Sequence, residues 1–191
     1  MQIHKPRFLR YFRCFGQSIW AQTAIKLVAL STVLVALLLA AQAAMAAPPN
    51  FTATVVRVID GDTIWVQTSA KSKPLKLRIQ AIDAPEICQS GGVAARDALK
   101  ARLFGKSVTL FPVATDKYKR TLASVEAQGE DIGRWMVLGG NAWSSGYFHS
   151  AGPYLPEQTK AQLARRGIFS GPRPEHPQDF RKRHGSCFYK P

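Results

Sequence analysis

The stretch Val58-Ile59-Asp60-Gly61-Asp62-Thr63-Ile64-Trp65-Val66 decides the fold. Before it, "TATVVRVI" (52–59) is β-branched; its second half opens "TIWVQT" (63–68), which is β-branched and aromatic. Such runs favour strands. Between them sits Asp-Gly, a favoured hairpin dipeptide because glycine accepts positive φ. The flanks therefore read as the two strands of an antiparallel hairpin. The bend also carries two carboxylates, Asp60 and Asp62, on either side of one glycine, where like charges repel. A plain turn accounts for the glycine. A cation beside the pair accounts for the charges.

Downstream, "LKLRIQAI" (75–82) alternates, with Leu75, Leu77, Ile79 and Ala81 on one face and Lys76, Arg78 and Gln80 on the other. That period predicts a third strand with a core side and Arg78 on the opposite side. "DAPE" (83–86) stops it, because Pro85 cannot donate to a ladder. "GGVAARDALKARLFG" (91–105) is rich in Ala and Leu and predicts a helix stopped by Gly105. "SVTLFPV" (107–113) and "TLASVEA" (121–127) are the fourth and fifth strands, joined by the polar loop "ATDKYKR" (114–120). "EDIGRWMVLGG" (130–140) and "PYLPEQTKAQLARRG" (153–167) predict two more helices, each ending in glycine. The Pro-rich tail, 169–191, reads as irregular, and its Arg181-Lys182-Arg183 run as solvated charge. Five short strands with a helix after the third predict an α+β domain dominated by a small barrel. The expected form is an OB-fold, a five-stranded Greek-key barrel with about three helices, an architecture that commonly binds oligonucleotides.

Charge points to the same class of partner. The chain has 26 Lys and Arg against 12 Asp and Glu. Only 5 of the basic residues and none of the acidic ones precede residue 47, so residues 47–191 carry a net charge of +9. A basic domain of this size favours anionic partners, nucleic acid first and anionic membrane second.

Residues 27–47, "LVALSTVLVALLLAAQAAMAA", follow a basic stretch and precede Pro48-Pro49. This is the layout of a secretory signal, with Ala44-Met45-Ala46 fitting an A-x-A cleavage site and Ala41-Gln42-Ala43 a second candidate. The apolar run is also nearly long enough to span a bilayer, so an uncleaved anchor is the alternative. Basic residues on its N-terminal side put the following domain outside the cytoplasm either way. The expected organisation is a signal or anchor over 1–46, the barrel domain over 47–168 and the tail over 169–191. The domain is expected in the periplasm or secreted, touching membrane only if the N-terminal segment stays attached. Cleavage leaves Cys88 and Cys187, an even pair that suggests one disulfide in an oxidising compartment, against two unrelated thiols. No Cys/His cluster has zinc-ligand spacing, and His149, His176 and His184 read as surface or tail residues.

"VIDGDT", "RIQAIDAPE" and "DKYKR" together supply Asp62, Arg78, Asp83, Glu86 and Arg120. In this order and spacing the chain resembles the thermonuclease family, the staphylococcal-nuclease-like phosphodiesterases, from about Thr54 to Tyr147. The resemblance implies that Asp62, Asp83 and the carbonyl of Ala84 bind Ca²⁺. It makes Glu86 the general base on the attacking water and has Arg78 and Arg120 clamp the scissile phosphate. Lys117 and Tyr118 are implied to contact a neighbouring phosphate, with Tyr147 near the nucleotide. Asp60 is left to the turn and to support of Asp62. Lys119 stands where that family frequently has glycine, and Ala84 where its best-known member has threonine, a change a backbone ligand survives. The implied activity is cleavage of DNA and RNA with little base specificity, since the contacts go to phosphate, and with single strands preferred if aromatics stack on bases. No obligate protein partner is implied. The rival reading is a binding module, the same barrel holding nucleic acid without cutting it.

Overall fold

The computed structural model describes Lys26, Leu30, residues 49–146 and residues 150–187. The chain divides into two compact units, Met1–Ala46 and Ala47–Pro191. The expectations for the N-terminal segment lie outside the described residues, Lys26 and Leu30 apart, and so does Tyr147.

In chain order the second unit runs β1 (Phe51–Val58), β2 (Thr63–Gln67), β3 (Leu75–Ile79), β4 (Ile82–Asp83), α1 (Gly92–Leu103), β5 (Ser107–Thr115), β6 (Thr121–Ala127), β7 (Glu130–Asp131), α2 (Ile132–Leu138), β8 (Trp143–Ser144), α3 (Leu155–Leu163), a 3₁₀ turn (Gly167–Ser170) and α4 (Pro177–His184). The main sheet is ordered β3-β2-β1-β5-β6-β7, and β3 also pairs with β6. That last pairing is parallel, with Leu77 beside Thr121 and Arg78 beside Leu122, whereas the other ladders are antiparallel. It closes a five-stranded mixed barrel of OB type, as the strand count predicted, and closure removes the exposed edges of β3 and β6.

The alternation of apolar residues fills the barrel. Val55, Ile64, Val66, Leu77, Ile79, Leu110 and Val125 are fully or almost fully buried, each worth roughly 1.5–3 kcal/mol of transfer free energy. Ala95, Leu99 and Leu103 lie one helical turn apart, so α1 turns a single apolar face to the core. Asp131 caps α2 by accepting from the Arg134 backbone N–H.

Three features depart from expectation. Leu75 lies at an exposed end of β3, while Leu77 and Ile79 carry the core face. The third strand stops at Ile79 because Ala81 takes a left-handed conformation, φ 63°. The chain bends there, and Ile82–Asp83 pair with Ser144 and Trp143 in a separate two-stranded ladder. The tail is not irregular. It forms the 3₁₀ turn and then α4, capped by His176, whose Nδ1 accepts from the Gln178 N–H, so the described residues of the second unit hold four α-helices.

Candidate active site

The Asp60–Asp62 bend is built by Asp60. Its carboxylate accepts from the Asp62 N–H at 3.0 Å, while Ile59 N–H bonds Thr63 C=O across the hairpin at 2.9 Å. Gly61 serves a purpose other than the expected one, since it is absent from the positive-φ residues. A Cβ there would stand 2.6 Å from the Ala84 Cβ and 2.9 Å from the Ala95 Cβ. Close approach of three backbones, not backbone dihedral, requires glycine.

Asp62 and Asp83 are almost fully buried, and Arg78 joins them. From β3, where it faces Thr63 of β2, its guanidinium donates to Asp62 Oδ1 at 2.7 Å and to Asp83 Oδ1 at 3.0 Å. Asp62 also accepts from the Thr63 hydroxyl and the Ala84 N–H. The two carboxylates and the Ala84 backbone, distant in sequence, are therefore one cluster. Burial opposes the charge on Arg78, but Asp62 and Asp83 outweigh it and hold the guanidinium well above its usual pKa. Asp60 has no such partner. Burial first, then the charge of Asp62, push its carboxyl up to about 7.

Arg120 stands apart from the acids on the same cavity. Its Nε donates to Asp116 at 2.7 Å, and its Nη1 approaches the Thr63 hydroxyl at 3.5 Å; no bond reaches the acids directly. Asp116, which sequence reasoning left without a role, also accepts from the Tyr118 and Arg120 N–H groups at 2.9 Å each. Burial acts against these bonds, but they prevail and hold the Asp116 carboxyl below its usual range. Tyr118 is exposed, with Arg120 and Lys117 within 5.4 and 5.1 Å of its ring. Asp60, Asp62, Arg78, Glu86, Tyr118 and Arg120 line one cavity of about 1110 Å³, which Ala84 and Lys117 also border.

Glu86 is held by the tail. Arg181 of α4 donates to Glu86 Oε1 at 3.1 Å and to Asp83 at 2.9 and 3.1 Å. Cys187 N–H reaches Glu86 Oε2 at 3.4 Å. The disulfide joins Cys88 to Cys187, with Cα atoms 5.9 Å apart. The run read as solvated charge is therefore split. Lys182 and Arg183 pair with Asp179 and Glu175 within the tail, but Arg181 enters the site. The cysteine pair was the signal for this: Cys88 lies two residues after Glu86, and its partner lies six after Arg181.

Among the described residues no three His, Cys, Asp or Glu side chains converge as a metal cluster. Asp62 and Asp83 offer carboxylate oxygens, donors suited to a hard cation that keeps several waters. The residues fit a cation of this kind.

A closed barrel with arginines and carboxylates converging in a basic cleft defines a phosphodiesterase of the nuclease class. A family model described as staphylococcal nuclease homologue matches residues 76–171, and the chain belongs to that family. It is 38% identical to an uncharacterized endonuclease of Escherichia coli O157:H7 across 68% of this chain and 84% of that protein. An uncharacterized endonuclease of Haemophilus influenzae is 34% identical, over 69% and 73%. A micrococcal nuclease of Shigella flexneri is 33% identical, over 70% and 82%.

Proposed function

We propose that the protein is an exported, Ca²⁺-dependent nuclease that hydrolyses DNA and RNA with low sequence specificity. The observation that carries this reading is Arg78 spanning Asp62 and Asp83 on the cavity that Glu86 and Arg120 also line. A phosphodiester is anionic and repels a nucleophile. Arg78 and Arg120 meet its oxygens with paired N–H donors that strengthen as charge builds in the transition state. Asp62, Asp83 and the Ala84 carbonyl hold the calcium ion, which supplies a hard positive charge against the phosphate. Glu86 orients the attacking water and accepts its proton, a contribution of about 10²–10⁴-fold. Lys117 and Tyr118 steady the adjoining nucleotide, and the exposed Tyr118 ring favours single strands. Export is supported by the layout of residues 1–46 and by the disulfide.

The experiment is release of acid-soluble nucleotides from single- and double-stranded DNA and from RNA, with calcium and with chelator. Calcium-dependent release that Glu86→Gln abolishes, with binding retained, is the expected result. Binding without release by the wild-type protein would sink hydrolysis and leave the binding module. N-terminal sequencing of the exported protein is expected to start near Ala47.

A further inference from the structure

The C-terminal helix is fastened at both ends to the rim of the site. At its start, Gln89 Nε2 donates to the Glu175 C=O at 2.8 Å, and the His176 ring packs 5.0 Å from Trp143. Just past its end, the disulfide fixes Cys187 to Cys88. Between these anchors Arg181, with 30% of its side chain exposed, reaches the carboxylates of Asp83 and Glu86. One guanidinium thus engages both Asp83 oxygens and one Glu86 oxygen, and the Cys187 N–H takes the other. A cation on Asp83 and a water on Glu86 need those same lone pairs.

We infer that Arg181 is an internal cation of the site, a positioning residue that competes with a divalent metal for Asp83 and is kept in place by the Cys88–Cys187 disulfide. With the metal absent, Arg181 supplies a second guanidinium to a buried carboxylate that Arg78 pairs at one oxygen only. Metal binding requires it to withdraw from Asp83, and withdrawal also frees Glu86. The anchors make that withdrawal a rotation of one long, partly exposed side chain rather than release of the helix. They also keep the guanidinium at high effective concentration beside the acids, as any short tether does. Opening the disulfide lowers that concentration and loosens the competition without altering a side chain that bonds the acids. The inference rests on the calcium reading of the same carboxylates.

The test is calorimetric titration of the full chain with calcium alone, without nucleic acid. Arg181→Gln is expected to tighten calcium binding about tenfold, the change one partly exposed charge pair supplies. The double variant Cys88→Ser with Cys187→Ser is expected to tighten it by a smaller factor, and Arg181→Lys to fall between wild type and Gln. Thermal melts in chelator check that each variant folds. Wild-type binding with equal or weaker binding in both Arg181→Gln and the cysteine variant overturns the competition and leaves the calcium reading standing. No calcium binding by any form overturns both.

Discussion

Arg78 meets Asp62 at 2.7 Å across the β2–β3 ladder, and the other arm of the same guanidinium reaches Asp83 at 3.0 Å. Two arms at fixed separation hold two carboxylates at fixed separation, which a single ammonium cannot do. Arg78→Lys keeps the charge and loses the fork. It is expected to lower kcat/KM about 10²–10³-fold, the loss typical of one preorganised donor to a transition-state oxyanion. Steady-state kinetics on single-stranded DNA check this, and a loss under about threefold would show that the fork is not used.

Gly61 is expected to tolerate nothing larger. The Cβ of Gly61→Ala would meet the Cβ atoms of Ala84 and Ala95 at 2.6 and 2.9 Å, and neither has a rotamer to move. Overpacking of this kind costs about 1–3 kcal/mol, and it pushes Asp62 away from Ala84. Gly171 is the control, because it has nothing within 4 Å and φ of −81°. Urea melts should show the loss for Gly61→Ala and almost none for Gly171→Ala.

The barrel was legible because its strands alternate with period 2 and its bends carry Asp-Gly and polar runs, signals that are local. Arg78 was placed on the face opposite the core from that period alone, and the structure puts it there. What stayed hidden depends on contacts between distant residues. The left-handed Ala81 that ends β3 has no sequence mark, because alanine is an ordinary strand-neutral residue. Arg181 looked like its neighbours Lys182 and Arg183. Only the fold of a short helix, 98 residues from Asp83, selects which of the three turns inward. Asp116 likewise reads as loop polarity until its carboxylate is seen gathering three N–H groups.

Asp60 gives a pH dependence with a definite sign. Its carboxyl sits at about 7 in the fold against 3.8 in the open chain, through burial and the charge of Asp62. The folded state therefore binds this proton more tightly. The stabilisation is complete below about pH 4 and is lost as pH rises through about 7. Asp60→Asn keeps an oxygen to accept from the Asp62 N–H and removes the charge. In chelator, the variant's Tm is expected to match wild type near pH 4 and to exceed it by several degrees at pH 8. Equal Tm at both pH values would mean that Asp60 ionises without cost.

The loop that presents Arg120 stores strain that one substitution removes. Lys119 has φ of 61°, a left-handed conformation that side chains resist. It lies between Tyr118 and Arg120, whose N–H groups both bond Asp116, so those bonds hold the strained residue in place. Glycine adopts this conformation without a Cβ penalty of about 1 kcal/mol. Lys119→Gly is expected to raise stability by up to that amount, because glycine's extra freedom in the open chain offsets part of the gain. Removing the Asp116 charge acts in the opposite direction. Asp116→Ala frees the Arg120 guanidinium and its backbone, and it is expected to lower kcat at least tenfold and to lower Tm by a few degrees, since three N–H bonds to the carboxylate are lost. Parallel melts and kinetics on the two variants decide the matter: full activity in Asp116→Ala would show that Arg120 needs no holding.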